Sequence, residues 1–166
     1  GTPNGSETLT INPDDNAIYD AVGNEASTSQ SNNTATLNDK AAPTISSAAL
    51  ASDNSYIDVT VSEGIYGANG GSGALEASDF ALTFAQNSGN ATAVSISSVR
   101  KNNNTAEGSA GALAGGETVI RVFLSITGTP SGVETITIKP VNASSIYDKA
   151  GNAMLSSQTT AAKTLN

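Results

Sequence analysis

Cysteine, histidine and tryptophan are absent from these 166 residues, and each absence removes a class of chemistry. Without cysteine no disulfide braces the fold and no thiol acts as nucleophile or metal ligand. Without histidine neither a Ser-His-Asp relay nor an imidazole metal site can be built. A carboxylate pair such as Glu63 and Asp79 would still be open to glycoside hydrolysis. Such sites carry aromatic sugar platforms, however, and the chain has only three Phe and four Tyr. The sequence points away from an enzyme. Cations are scarce too: seven Lys and Arg against fifteen Asp and Glu leave a net charge of −8. Phosphate backbones repel such a surface, so nucleic acid is not an expected partner. No run approaches the ~18 apolar residues of a membrane span, so membrane insertion is not expected either. No leader stands at the N-terminus, so export would imply that a leader has been removed.

What is abundant is Ser, Thr, Asn, Gly and Ala, a mixture typical of secreted microbial β-proteins. A secreted domain without disulfides must take its rigidity from packing or from bound metal. The chain also contains one stretch twice. Gly1-Thr-Pro-Asn-Gly-Ser-Glu-Thr-Leu-Thr-Ile-Asn-Pro13 lies over Gly128-Thr-Pro-Ser-Gly-Val-Glu-Thr-Ile-Thr-Ile-Lys-Pro140, with nine of thirteen positions identical. Ile18-Tyr-Asp-x-x-Gly-Asn24 recurs as Ile146-Tyr-Asp-x-x-Gly-Asn152, and Thr36-Leu-Asn38 as Thr164-Leu-Asn166. The offset is 128 − 1 = 127 before one inserted residue and 166 − 38 = 128 after it. Residues 1–38 therefore read as a partial repeat, and residues 39–166 as a complete unit of a size that can bury its own core. The pattern suits a tandem array or a self-assembling surface protein.

Short alternating segments separated by turn residues run through the whole chain, and none shows a 3.6-residue period. Glu7–Ile11, Thr34–Leu37, Thr44–Leu50, Tyr56–Ser62, Phe80–Phe84, Ala93–Val99, Glu117–Ile126, Glu134–Ile138 and Thr159–Leu165 are the expected strands. Glu63-Gly64 reads as the end of the fourth, and Asn87-Ser-Gly-Asn90 as a hairpin turn. Leu75–Asp79 can form one helical turn. An all-β sandwich of seven or more strands follows. Its core is expected from Ile57, Val59, Val61, Phe80, Leu82, Phe84, Ile120, Val122, Leu124, Ile136 and Ile138. Within the 117–126 strand, Val119, Phe123 and Ile126 compete with Ile120, Val122 and Leu124 for the inward face.

Three motifs carry a resemblance. Val59-Thr-Val-Ser-Glu63, Leu75-x-x-Ser-Asp-Phe80 and Ile146-x-Asp-x-Ala-Gly-Asn-Ala-Met154, in that order, resemble the bacterial Ig-like domains of surface-layer proteins and large secreted adhesins. The resemblance spans roughly residues 42–166. It implies an Ig-like β-sandwich with an additional N-terminal partial repeat, and a secreted, cell-surface or extracellular place of work. The expected function is a structural unit of an extracellular fibre, surface layer or adhesin stalk, self-associating head to tail. The rival reading is a ligand- or carbohydrate-binding adhesin module with a glycan ligand.

The acidic loops are the candidate site. Calcium takes six to eight hard oxygen ligands, and Asp, Glu, Asn and backbone carbonyls supply them. Asp148 and Asn152 flank a turn glycine, while Glu63 and Asp79 fall at strand ends where a sandwich gathers its loops. These four form the expected calcium site. Alternatively, Asp148 and Asn152 bond only to their own turn, as such residues do. Asp14, Asp15 and Asp20 form a second, weaker cluster. Five Asn-x-Ser/Thr sequons begin at Asn4, Asn32, Asn90, Asn103 and Asn142, a number that so Asn- and Ser-rich a composition reaches by chance.

Overall fold

The computed structural model describes residues 1–166 and divides them into two compact units, Gly1–Ala41 and Ala42–Asn166. The fold is all-β: nine strands in three antiparallel sheets, with only two short 3₁₀ turns.

In the larger unit, β-branched alternation sets the layers. β4 (Tyr56–Ile65) turns Ile57, Val59 and Val61 to one side, and β7 (Glu117–Thr127) turns Ile120 and Val122 to the same side. Ile57 stands opposite Val122, and Val59 opposite Ile120. β3 (Ile45–Leu50) and β6 (Ala93–Lys101) flank them, giving the order β3-β4-β7-β6. The second sheet runs β5-β8-β9, from Phe80–Ala85, Thr135–Pro140 and Lys163–Thr164. Phe80 and Ile138 of this sheet join Ile57, Val59, Ile120 and Val122 of the other in one core, the arrangement of a β-sandwich. Ile65, Leu75, Leu113, Ile146 and Met154 complete it from loops and strand ends. Leu82 and Leu124 are half-buried against this core, while Phe84 is half-buried.

Two readings of the sequence need correction. β4 does not stop at Glu63-Gly64 but continues to Ile65, which pairs with Glu117 across a register shift. Gly64 allows this because a Cβ there would lie 2.8 Å from the Gly116 carbonyl oxygen; the backbones touch where a side chain would hold them apart. Asn87–Asn90 is not a hairpin turn. It carries the chain from β5 in one sheet to β6 in the other, with Asn87 and Ser88 both at positive φ. The competition within β7 resolves in favour of Ile120 and Val122. Phe123 is nevertheless buried, on the opposite face, edge-on to Tyr56 at 5.9 Å between ring centroids.

That opposite face holds a charged clamp. Arg121 donates from Nε and Nη2 to the two Asp58 oxygens, each at 2.7 Å, and from Nη1 to the Asn104 carbonyl at 2.8 Å. Its guanidinium stacks 3.6 Å from the Tyr56 ring centroid. Bidentate pairing fixes both partners, and the Asn104 contact ties down the long connection between β6 and β7.

Unit Gly1–Ala41 is a single two-stranded ribbon, β1 (Thr8–Thr10) paired with β2 (Thr34–Thr36). None of its residues is buried. Its turns nevertheless share several bonds with those of residues 128–166. Leu37 N–H donates to the Glu7 carbonyl at 2.8 Å, and Leu165 N–H to the Glu134 carbonyl at 2.9 Å. Ala26 N–H reaches the Ile18 carbonyl at 2.8 Å, and Met154 N–H the Ile146 carbonyl at 2.9 Å. Thr8 pairs with Thr36 as Thr135 pairs with Thr164.

Candidate functional site

The repeated turn is built around one aspartate. Asp148 is fully buried, and its two oxygens accept from the Asn152 backbone N–H and side-chain amide, each at 2.7 Å. Asp148 N–H in turn donates to the Asn152 carbonyl at 3.0 Å. Gly151 closes the loop at φ +91°, a conformation glycine adopts without penalty. A side chain there would also run into Asn69. Asp20 repeats the arrangement in the smaller unit, accepting from Asn24 N–H at 2.8 Å and Asn24 Nδ2 at 2.7 Å. The Asn24 side-chain amide, followed by its backbone N–H, holds the Asp20 carboxyl below its ordinary value.

The four candidate ligands fall into two places. The turn is pinned to the end of β4 by reciprocal bonds between Tyr66 and Tyr147, N–H to carbonyl at 2.8 and 2.9 Å. This brings the half-buried Glu63 to Asp148, with carboxylate oxygens within 4.8 Å of each other. Asn152 is already on Asp148. Asp79 is placed otherwise: it ends the 3₁₀ turn Ala77–Asp79, and its Oδ2 accepts from Glu76 N–H at 2.8 Å. Burial raises the Asp79 carboxyl above its ordinary value, and the nearby Glu76 charge pushes the same way. Glu63 and Asp148 thus bring carboxylate oxygens together in a place that could hold a metal ion, while Asn152 presents its amide nitrogen to Asp148. The local bonding expected of an Asp-x-x-Gly-Asn turn is also present in full.

Sequence reading passed over a second buried carboxylate. Glu134 is fully buried, and Ala91 N–H donates to its Oε1 at 2.8 Å while Ser131 N–H donates to Oε2 at 2.9 Å. Val133 N–H adds a longer bond at 3.3 Å. Burial pushes this carboxyl up, but the backbone N–H groups of Ser131, Ala91, Glu134 itself and Val133 outweigh it and bring it down to about 2. The signal was its repetition, since Glu7 occupies the same place in the smaller unit. There its Oε2 accepts from Asn4 N–H at 2.9 Å, as Glu134 accepts from Ser131.

The contrast between the two copies is one of cover. Ile136, Ile138, Ile146 and Leu165 are at most 1% exposed. Their counterparts Leu9, Ile11, Ile18 and Leu37 are 50%, 66%, 55% and 40% exposed. Tyr19 is exposed, whereas Tyr147 is half-buried. No protein-family model, characterised protein or solved structure matches this chain. The site must be read from its own chemistry. For a small ligand, the larger unit offers a groove of about 330 Å³, lined by Leu75, Ala77, Val99, Arg100 and Leu113 among others and by no aromatic ring.

Proposed function

We propose that this chain is a structural repeat of an extracellular fibre, surface layer or adhesin stalk, joined to its neighbours by strand pairing between units. On this reading Ala42–Asn166 is an Ig-like sandwich and Gly1–Ala41 is a partial repeat holding only the closing strands of another. Support for the Ig-like part comes from strand order. Lettered A to G in sequence, β3 to β9 give sheets A-B-E-D and C-F-G, the order of an immunoglobulin constant-type domain. β1 and β2 then correspond to F and G without the strands that should face them.

The observation that carries the proposal is the bare face of Leu9, Ile11, Ile18 and Leu37. The same positions in residues 128–166 are covered by the rest of a sandwich. A two-stranded ribbon with an open edge and an uncovered apolar face is marginal in water and recruits another strand. Addition of strands between units satisfies the backbone donors of that edge and covers the face together. A head-to-tail contact of this kind has no reason to close, so the assembly extends. Calcium at Glu63 and Asp148, with Asn152 beside them and Asp79 outside the site, would stiffen one end of each sandwich. The lack of an aromatic platform in the groove beside Leu75 and Val99 favours a spacer over a glycan binder. The test is to remove residues 1–38: Ala42–Asn166 should remain folded and lose the concentration-dependent assembly of the full chain. Equal assembly with and without those residues would refute the proposal.

A further inference from the structure

We infer that Gly1–Ala41 is an interchangeable closing segment, able to seat on residues 42–127 of a second copy in the slot held by residues 128–166. The inference rests on the partial-repeat reading above and names its partner surface. Within the larger unit, residues 128–166 are held to the remainder by β8, by backbone bonds of Val133 and Val141, which accept from Asn87 Nδ2 and donate to the Asp79 carbonyl, each at 2.9 Å, and by four further contacts. β8 pairs with β5 from Phe80 opposite Pro140 to Ala85 opposite Thr135. Ala91 N–H donates to Glu134, Tyr66 exchanges two bonds with Tyr147, and Ile45 N–H donates to Gln158 Oε1 at 3.1 Å. Asn54 donates to the Asn166 carbonyl at 2.8 Å and accepts from Asn166 N–H at 3.0 Å.

The residues that make the four further contacts are the same type in the smaller unit, whereas Val133, which bonds through its carbonyl, stands over Ser6. At the offsets of 127 and 128, Glu134 corresponds to Glu7, Tyr147 to Tyr19, Gln158 to Gln30 and Asn166 to Asn38. Glu134 and Gln158 act through their side chains, so their identity matters. In their own unit Glu7 accepts from Asn4 N–H and Gln30 donates to the Ser27 carbonyl, local bonds that shorter side chains make equally well. Their length is needed for reaching a 42–127 segment, and Gly1–Ala41 contains none. The apolar set Leu9, Ile11, Ile18 and Leu37 matches in the same way.

Reach favours the slot of another molecule. Seated in its own, Asn38 would lie beside Asn54 at the β3–β4 turn, while Thr44 enters β3 at the far end. Residues 39–43 fully extended bridge about 20 Å, and β3 from Thr44 to Ala51 covers about 23 Å. The segment also fits less fully than residues 128–166, because Ala26 stands where the buried Met154 fills the core. Each chain carries two closing segments for one slot, so exchange among wild-type copies always leaves one uncovered. The wild-type slot therefore keeps its own segment, and exchange becomes committed when that segment is disabled.

The experiment uses the full chain carrying Ile136→Asp and Ile138→Asp, which leaves one slot and one working closing segment per molecule. Mass is followed by light scattering against concentration, and folding of the larger unit by hydrogen exchange at β4 and β7 amides. The double variant should hold those amides protected and grow into oligomers several-fold heavier than the monomer as concentration rises. Adding Leu9→Asp and Ile11→Asp should abolish both. A double variant that stays monomeric, folded or not, overturns the inference, as does association unaffected by the added pair. Wild-type assembly without variant exchange would leave the fibre proposal standing and remove this one; variant exchange without wild-type assembly would do the reverse.

Discussion

Glu134 shows what one residue in this chain is asked to do. A carboxylate taken fully out of water normally becomes a weaker acid. Here backbone N–H groups converge on it and bring its pKa from 4.5 down to about 2. The folded state therefore holds the ionised form better than the unfolded state does. Stability from this group is fully present above the unfolded value near 4.5 and is lost as pH falls toward 2. Replacing Glu134 with Gln should lower the melting temperature at pH 7, and the gap to wild type should narrow as pH is taken down through that window. A gap unchanged with pH would show that the charge is not what matters. Gly89 belongs to the same cradle: a Cβ there would fall on the Glu134 carboxyl group. Gly89→Ala should cost about 1–3 kcal/mol by overpacking, measured by denaturant titration. None of this was legible in a single copy of the sequence, where Glu134 reads as a polar residue at a strand start. Only the recurrence of Glu7 marked the position.

At the level of elements, the strands were legible because β-branched residues alternate over them, and the two-sheet arrangement followed. Where backbone geometry rather than side-chain pattern decided, the sequence misled. Gly64 looks like a strand terminator but is the point where β4 passes close to Gly116. Asn87-Ser-Gly-Asn90 has hairpin composition but joins two different sheets, a distinction that depends on pairing partners far along the chain. Phe123 is buried on the face away from the core, edge-on to Tyr56, and no local pattern encodes that contact. The candidate metal site was half legible. The Asp-x-x-Gly-Asn turn predicts its own bonds, and Glu63 comes to it only through the Tyr66–Tyr147 bridge. Calcium bound there would oppose the repulsion between Glu63 and Asp148 and stabilise the folded unit by linkage, about 3 kcal/mol at a hundredfold excess over Kd. Thermal melting with calcium and then with a chelator should show a clear upward shift with the metal, and Asp148→Asn should remove it. A melting temperature indifferent to both additions would leave the turn with a structural role alone.

For the molecule as a whole, the proposed assembly turns on the face of Leu9, Ile11, Ile18 and Leu37 being covered by another unit. Full burial of such a side chain is worth about 1.5–3 kcal/mol. With each about half exposed already, covering all four returns roughly 4 kcal/mol by the same measure. That is only the lower end of the cost of bringing two proteins together, estimated at about 4–15 kcal/mol. The apolar face is therefore necessary and not sufficient, and pairing along the open β1 edge must supply the remainder. A contact balanced this closely is sensitive to one or two substitutions. The most direct test is light scattering of the full chain and of its Leu9→Asp/Ile11→Asp variant over a concentration series with calcium present. The mass should climb with concentration for the full chain and stay at the monomer for the variant, whose Ala42–Asn166 unit melts as before. A full chain that remains monomeric throughout, or a variant that assembles equally well, would contradict it.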